Sequence, residues 1–272
     1  MSSPALTYTE YLKIDELLDL NHPQSDEHDE PLFIAIHQVY ELWFKQVLHE
    51  MQAVQRTLEA GDTFRSLATL GRIRTILKVC VAQLDILETM TPLQYNTFRD
   101  RLTSGSGFQS AQFRELEAVL GRRDHAGAGA AAGTGMGMSE HLVAGSPARA
   151  RVESAMARPS LWDSALRYLV TRGHAMPESV MTRDVSTPYA GDEAVQDVLL
   201  TVHRTDAEAG LICESLVDID EGLQEWRYRH VKMVERTIGR KMGTGGSSGV
   251  GYLSSTLFHP VFPDLWAIRS RF

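Results

Sequence analysis

Cysteine is nearly absent: Cys80 and Cys213 are the only two in the chain, and their separation fits no metal-binding spacing. Two such thiols make no disulfide framework, so a cytoplasmic protein with buried, reduced cysteines is expected. The opening residues, MSSPALTY, lack the basic-then-apolar order of a secretory signal, in keeping with that setting. No apolar run approaches the ~20 residues that cross a bilayer, so no membrane span is expected. Positive charge is the minority: 27 Lys and Arg against 35 Asp and Glu leave a net charge of -8, too acidic to neutralise the phosphates of a nucleic acid. Strand-like alternation is missing as well.

What is present is helical periodicity, in a chain of 272 residues that can bury a sizeable core. A long pattern from about His28 to Ala60 puts Phe33, His37, Tyr40 and Phe44 on one face. A second, about Phe64 to Met90, spaces Leu67, Leu70, Ile73, Leu77, Val81 and Leu84 by threes and fours. Thr91-Pro92 ends it and starts another helix, since proline suits a first helical turn. A third pattern runs from about Asp192 to Arg240, with a break near Asp206 to Gly210. Shorter helices are expected near 111–120, 160–172 and 261–270. Residues 125–149 contain AGAGAAAGTGMGM, too rich in glycine and alanine to fix a conformation by burial, and read as a mobile excursion from a single all-α domain spanning 1–272.

Four places could carry chemistry. His230, in EWRYRHVKMVERTIG, shares a helical face with Trp226, Met233, Val234 and Thr237. A histidine there is ordinarily a satisfied core residue, yet an apolar, aromatic wall is also what a porphyrin needs, and neutral imidazole is its commonest proximal ligand. His37, in PLFIAIHQVYELWFKQ, admits the same two readings, and the pair together would also suit a bis-histidine electron carrier. Neither has an HxxxH or ExxH partner, which argues against zinc or di-iron sites. Arg99, one turn beyond Tyr95, can reach solvent or, held in a cleft, grip a carboxylate with its planar fork. The glycine-rich run 243–251 lacks the Gly-Lys-Ser/Thr ending of a phosphate loop and follows no strand. It can act as a plain linker or fold over a ligand, where Thr244 offers a hydroxyl.

Taken together, LTYTEYLKIDELL (6–18), HDEPLFIAIHQVYELWFKQVLHE (28–50), LETMTPLQYNTFRDRL with SGSGFQSAQFRELE (87–117) and RHVKMVERTIGRKMGTGGSSGVGYL (229–253), with the tail VFPDLW, resemble the tryptophan 2,3-dioxygenase family. The resemblance implies a large helical domain of the tryptophan/indoleamine dioxygenase type, with one haem b, its iron ferrous, between long helices. It implies a reaction in which dioxygen adds across the indole C2–C3 bond of L-tryptophan to give N-formylkynurenine. His230 matches the axial ligand of the iron. His37 matches the distal, catalytic histidine that accepts the indole N–H. Arg99 matches the arginine on the substrate carboxylate, and Thr244 a threonine near its ammonium and carboxylate. Phe33, Tyr95, Leu102, Ser106 and Gly107 match pocket positions. Tyr8, Tyr11 and Leu12 match an N-terminal segment that reaches a neighbouring subunit's pocket, which implies a homotetramer. Leu84 departs from the family pattern, where that position is usually aromatic. A roomier pocket there keeps a second reading open: a haem monooxygenase, or another oxygenase, of a substituted tryptophan or indole in secondary metabolism, without ring cleavage.

Overall fold

The computed structural model describes residues 6–102, 107–123, 138–242 and 249–272. Two short helices, α1 (Tyr8–Leu12) and α2 (Ile14–Leu18), precede the long α3 (Glu30–Glu59) and α4 (Thr63–Leu87). After them come α5 (Pro92–Phe98), α6 (Ala111–Leu120), α7 (Pro147–Met156), α8 (Leu161–Thr171) and α9 (Glu178–Met181). The chain closes with α10 (Glu193–Thr205), α11 (Ala207–Ile238), α12 (Val250–Ser255), α13 (Pro263–Ala267) and a 3-10 turn at Ile268–Arg271. Among the described residues there is no strand, and no helix is long and apolar enough to cross a membrane.

Local signals account for the boundaries. Thr91 caps α5 reciprocally with Gln94, and Pro92 occupies its first turn, as the sequence predicts. Asp206 interrupts the third long pattern, leaving the helix of α10 and capping α11 through the Ala209 amide. The bidentate grip of Arg172, at 2.7 and 2.8 Å, holds the Asp206 carboxyl well below the usual carboxylate range. Residues 125–137 of the expected excursion lie outside the described residues. Residues 138–149 differ from that expectation: Met138 and Leu142 are buried against Ala118, Val152 and Met156, and Ser146 caps α7. The burial of two apolar side chains there supplies what the glycine-rich half lacks.

α4 is the middle of the architecture, packing against α3 on one side and α11 on the other. Val47, Met51, Val54 and Leu58 of α3 are fully enclosed, and each such side chain contributes ~1.5–3 kcal/mol by leaving water. The Tyr40 hydroxyl donates to the Cys80 carbonyl at 2.8 Å and the Gln83 amide to the Ile36 carbonyl at 2.9 Å, which fixes α3 against α4. Cys80 and Cys213 are buried free thiols, and burial pushes both up to about 12. One Asp220 oxygen accepts from the Val261 and Phe262 amides and from the Trp266 indole, which pins the VFPDLW segment onto α11.

Candidate active site

The predicted apolar faces of α3 and α11 converge on a cavity of about 220 Å³, closed by α4, α5, α6 and α12. Phe33, His37, Tyr40 and Phe44 reach it from α3; Trp226, His230, Met233, Val234 and Thr237 reach it from α11. The helical period alone puts each set on one side.

His37 Nδ1 lies 2.7 Å from the Phe33 carbonyl oxygen. A carbonyl can only accept, so Nδ1 carries the proton and Nε2 keeps its lone pair. Burial lowers the pKa of this ring, outweighing that hydrogen bond and the nearby Glu41, and keeps it neutral. The Phe33 ring packs on it at 4.2 Å and touches Tyr95 and Phe98 at 5.8 and 5.6 Å.

His230 is neutral for the same reason. Burial, with His37 and Arg114 adding to it, lowers its pKa to about 4. Among the described residues its imidazole has no hydrogen-bond partner; instead it stacks on Trp226, centroids 5.0 Å apart and planes 12° from parallel. Trp226 is itself boxed by Phe113 at 4.8 Å and by the edge-on rings of Tyr40 and Phe44 at 6.2 Å.

One wall is ionic. Buried Glu117 accepts from Arg114 and Arg227 at 2.6 Å and from Arg122 at 2.9 Å. Burial pushes its carboxyl up, but the three guanidinium groups outweigh burial and hold it far below the usual range.

Arg99 follows α5 at the cavity edge, half-buried, and donates from Nη2 to the Met242 carbonyl at 2.7 Å. That carbonyl sits just before residues 243–248. Tyr95, Leu102 and Gly107 line the same space, as does Leu84, which is fully buried.

The sequence model of the family described as "Tryptophan 2,3-dioxygenase" matches residues 1–128 and 208–272. A protein so described from Anaeromyxobacter sp. (strain K) is 57% identical over 98% of this chain and 96% of its own length. Counterparts from Herpetosiphon aurantiacus and Caulobacter vibrioides, described in the same words, are 55% and 41% identical, each over 98% of this chain and 99% and 98% of their own lengths. The chain belongs to the tryptophan 2,3-dioxygenase family.

Of the site residues that the family resemblance selects, Phe33, His37, Tyr95, Arg99, Leu102, Gly107 and His230 are brought to one cavity. Ser106 and Thr244 lie outside the described residues. Tyr8, Tyr11 and Leu12 do not join them: they sit on α1, exposed, and none lines the cavity of their own chain. Sequence reasoning passed over Glu41, Phe113 and the Arg114–Glu117–Arg227 cluster. Arg114 and Glu117, three apart on α6, have the spacing of an ordinary surface pair, and no local signal couples them to Arg227 on α11.

Proposed function

We propose that the cavity holds one haem b through His230 and that the enzyme uses it to add dioxygen across the indole C2–C3 bond of L-tryptophan, giving N-formylkynurenine. The carrying observation is the pairing of two neutral imidazoles in one apolar space: His37 with a free Nε2 lone pair, and His230 with no competing hydrogen bond. The donor set fits the group. Among the described residues no cluster of three His, Cys, Asp or Glu side chains exists to hold a bare ion, so a single histidine suits a metal whose other ligands come from a macrocycle. Haem, when bound, supplies the activation of dioxygen, which no side chain here can perform.

The chain's own residues then hold the amino acid. His37 Nε2 accepts the indole N–H, and the Phe33 and Tyr95 rings lie against its apolar faces. Arg99 pairs with the carboxylate; the family resemblance assigns Thr244 to the same end and Ser106 to the pocket lining, both outside the described residues. Fixing both ends of the substrate orients C2 and C3 without a strong base, which agrees with the neutral pKa state of both histidines. The exposed Tyr8, Tyr11 and Leu12 complete a neighbouring site in a homotetramer.

Labelled oxygen gas tests the reaction. Anaerobic loading with L-tryptophan followed by labelled dioxygen should give a product carrying two labelled atoms and a cleaved ring. A product with one labelled atom and an intact indole would leave the family membership standing and overturn the ring-cleaving reaction.

A further inference from the structure

A histidine that holds a metal ordinarily has its second ring nitrogen tied to a carboxylate, a backbone carbonyl or water, which fixes tautomer and ring plane. The two imidazoles of this cavity differ in that respect. His37 uses the backbone of the residue four before it, the Phe33 carbonyl at 2.7 Å. His230 has no hydrogen bond among the described residues, and uses the side chain of the residue four before it, the Trp226 ring at 5.0 Å and 12°. A single Cβ–Cγ rotor with nothing tethering its nitrogens would otherwise turn freely about its axis.

We propose that Trp226 is the positioning residue for His230, setting the plane of the imidazole by face-to-face contact where a hydrogen bond would normally do so. The proposal rests on the reading of His230 as the haem ligand. Trp226 can serve as a template because it cannot rotate itself. Phe113 of α6 lies against it at 4.8 Å, while Tyr40 and Phe44 of α3 meet it at 74° and 86°. Its indole N–H is buried beside the Tyr40 hydroxyl, and the faces and edges of the three surrounding rings hold the indole in place. The orientation of His230 is thus inherited from the packing of α3 and α6 against α11.

The test uses the full-length ferrous holoprotein without substrate. Two signals are read: the iron–imidazole stretching band in the resonance Raman spectrum, and the rate at which haem transfers to excess apomyoglobin. Trp226→Phe keeps a flat face against His230; Trp226→Leu and Trp226→Ile remove it, two variants being used so that a folding failure in one leaves the other. The aliphatic variants should shift or broaden the band and lose haem roughly three- to tenfold faster, whereas the phenylalanine variant should restore both signals. A wild-type band and transfer rate in a folded aliphatic variant would show that Trp226 merely fills space. Equal disturbance in Trp226→Phe would overturn the stacking argument in favour of the indole nitrogen. His230→Ala is run alongside: an unaltered ferrous spectrum there would sink the ligand assignment itself, a failure distinct from either result at Trp226.

Discussion

On the proposed reading, Arg99 and His37 divide recognition of the substrate between charge and hydrogen bonding, and each makes a separable demand on experiment. A charge-assisted, bidentate contact contributes roughly 1.5–3 kcal/mol, so Arg99→Ala should weaken L-tryptophan binding about tenfold to a hundredfold. Arg99→Lys should not rescue it, because an ammonium cannot reproduce the fork. Binding of bare indole, titrated in parallel, should be nearly indifferent to both changes; an equal loss with indole would mean a collapsed pocket. His37 sets a pH dependence of definite sign. Its proton sits on Nδ1 and its pKa is lowered by burial, so Nε2 stays an acceptor through neutral pH and is lost only on protonation at a pH below the ordinary histidine value of 6.5. Affinity for L-tryptophan should therefore be flat from pH 8 to 6.5 and fall on further acidification. A fall already complete at pH 6.5, or one retained in His37→Ala, would contradict that account.

At the scale of elements, the site depends on α6 and α11 being joined by Glu117. Removing its charge takes away the carboxylate shared by buried Arg114 and Arg227 and by half-buried Arg122, so Glu117→Gln should destabilise the haem-free protein by about 3–5 kcal/mol in urea unfolding. Pairing Glu117→Leu with Arg227→Met should recover part of that loss, since an apolar pair leaves fewer uncompensated charges. A neutral Glu117→Gln would mean that the cluster is solvated in solution. The same elements show what a sequence can and cannot disclose. The faces of α3 and α11 are legible because a helix writes its geometry into spacings of three and four. His37 and His230 stand out on those faces once a ligand is in mind. The Glu117 cluster is illegible because its partners are over a hundred residues apart and its local half imitates a solvated pair. α7 was missed for another reason: Ser146 with Pro147 is a plain start signal, obscured by the glycine-rich stretch before it.

At the scale of the whole molecule, α1 is the element least accounted for by its own chain. Thr7 and Glu10 cap it reciprocally, yet no residue of this five-residue helix is buried, and Tyr8 and Tyr11 are 75% and 71% exposed. So short a helix is not stable in isolation, and two tyrosines this exposed offer an apolar surface to a partner. Deleting residues 1–12 should leave haem binding largely intact and sharply weaken L-tryptophan binding, while light scattering on the intact enzyme should report a tetramer. A fully active monomer would remove the basis for a shared site.

The hydrogen bond from Arg99 to the Met242 carbonyl carries a further consequence. On the proposed reading, a carboxylate arriving at Arg99 meets a cation already engaged at Nη2, and the two acceptors share or compete for its five N–H donors. The rival acceptor belongs to the backbone, so every amino acid at position 242 would provide it equally well. No side-chain substitution there can relieve the competition. It can be tuned only by moving the end of α11, where Gly239 turns the chain at φ 60°, a conformation that resists any other residue. If Arg99 reads a carboxylate as proposed, part of that selectivity is held by backbone on which ordinary mutation has little purchase.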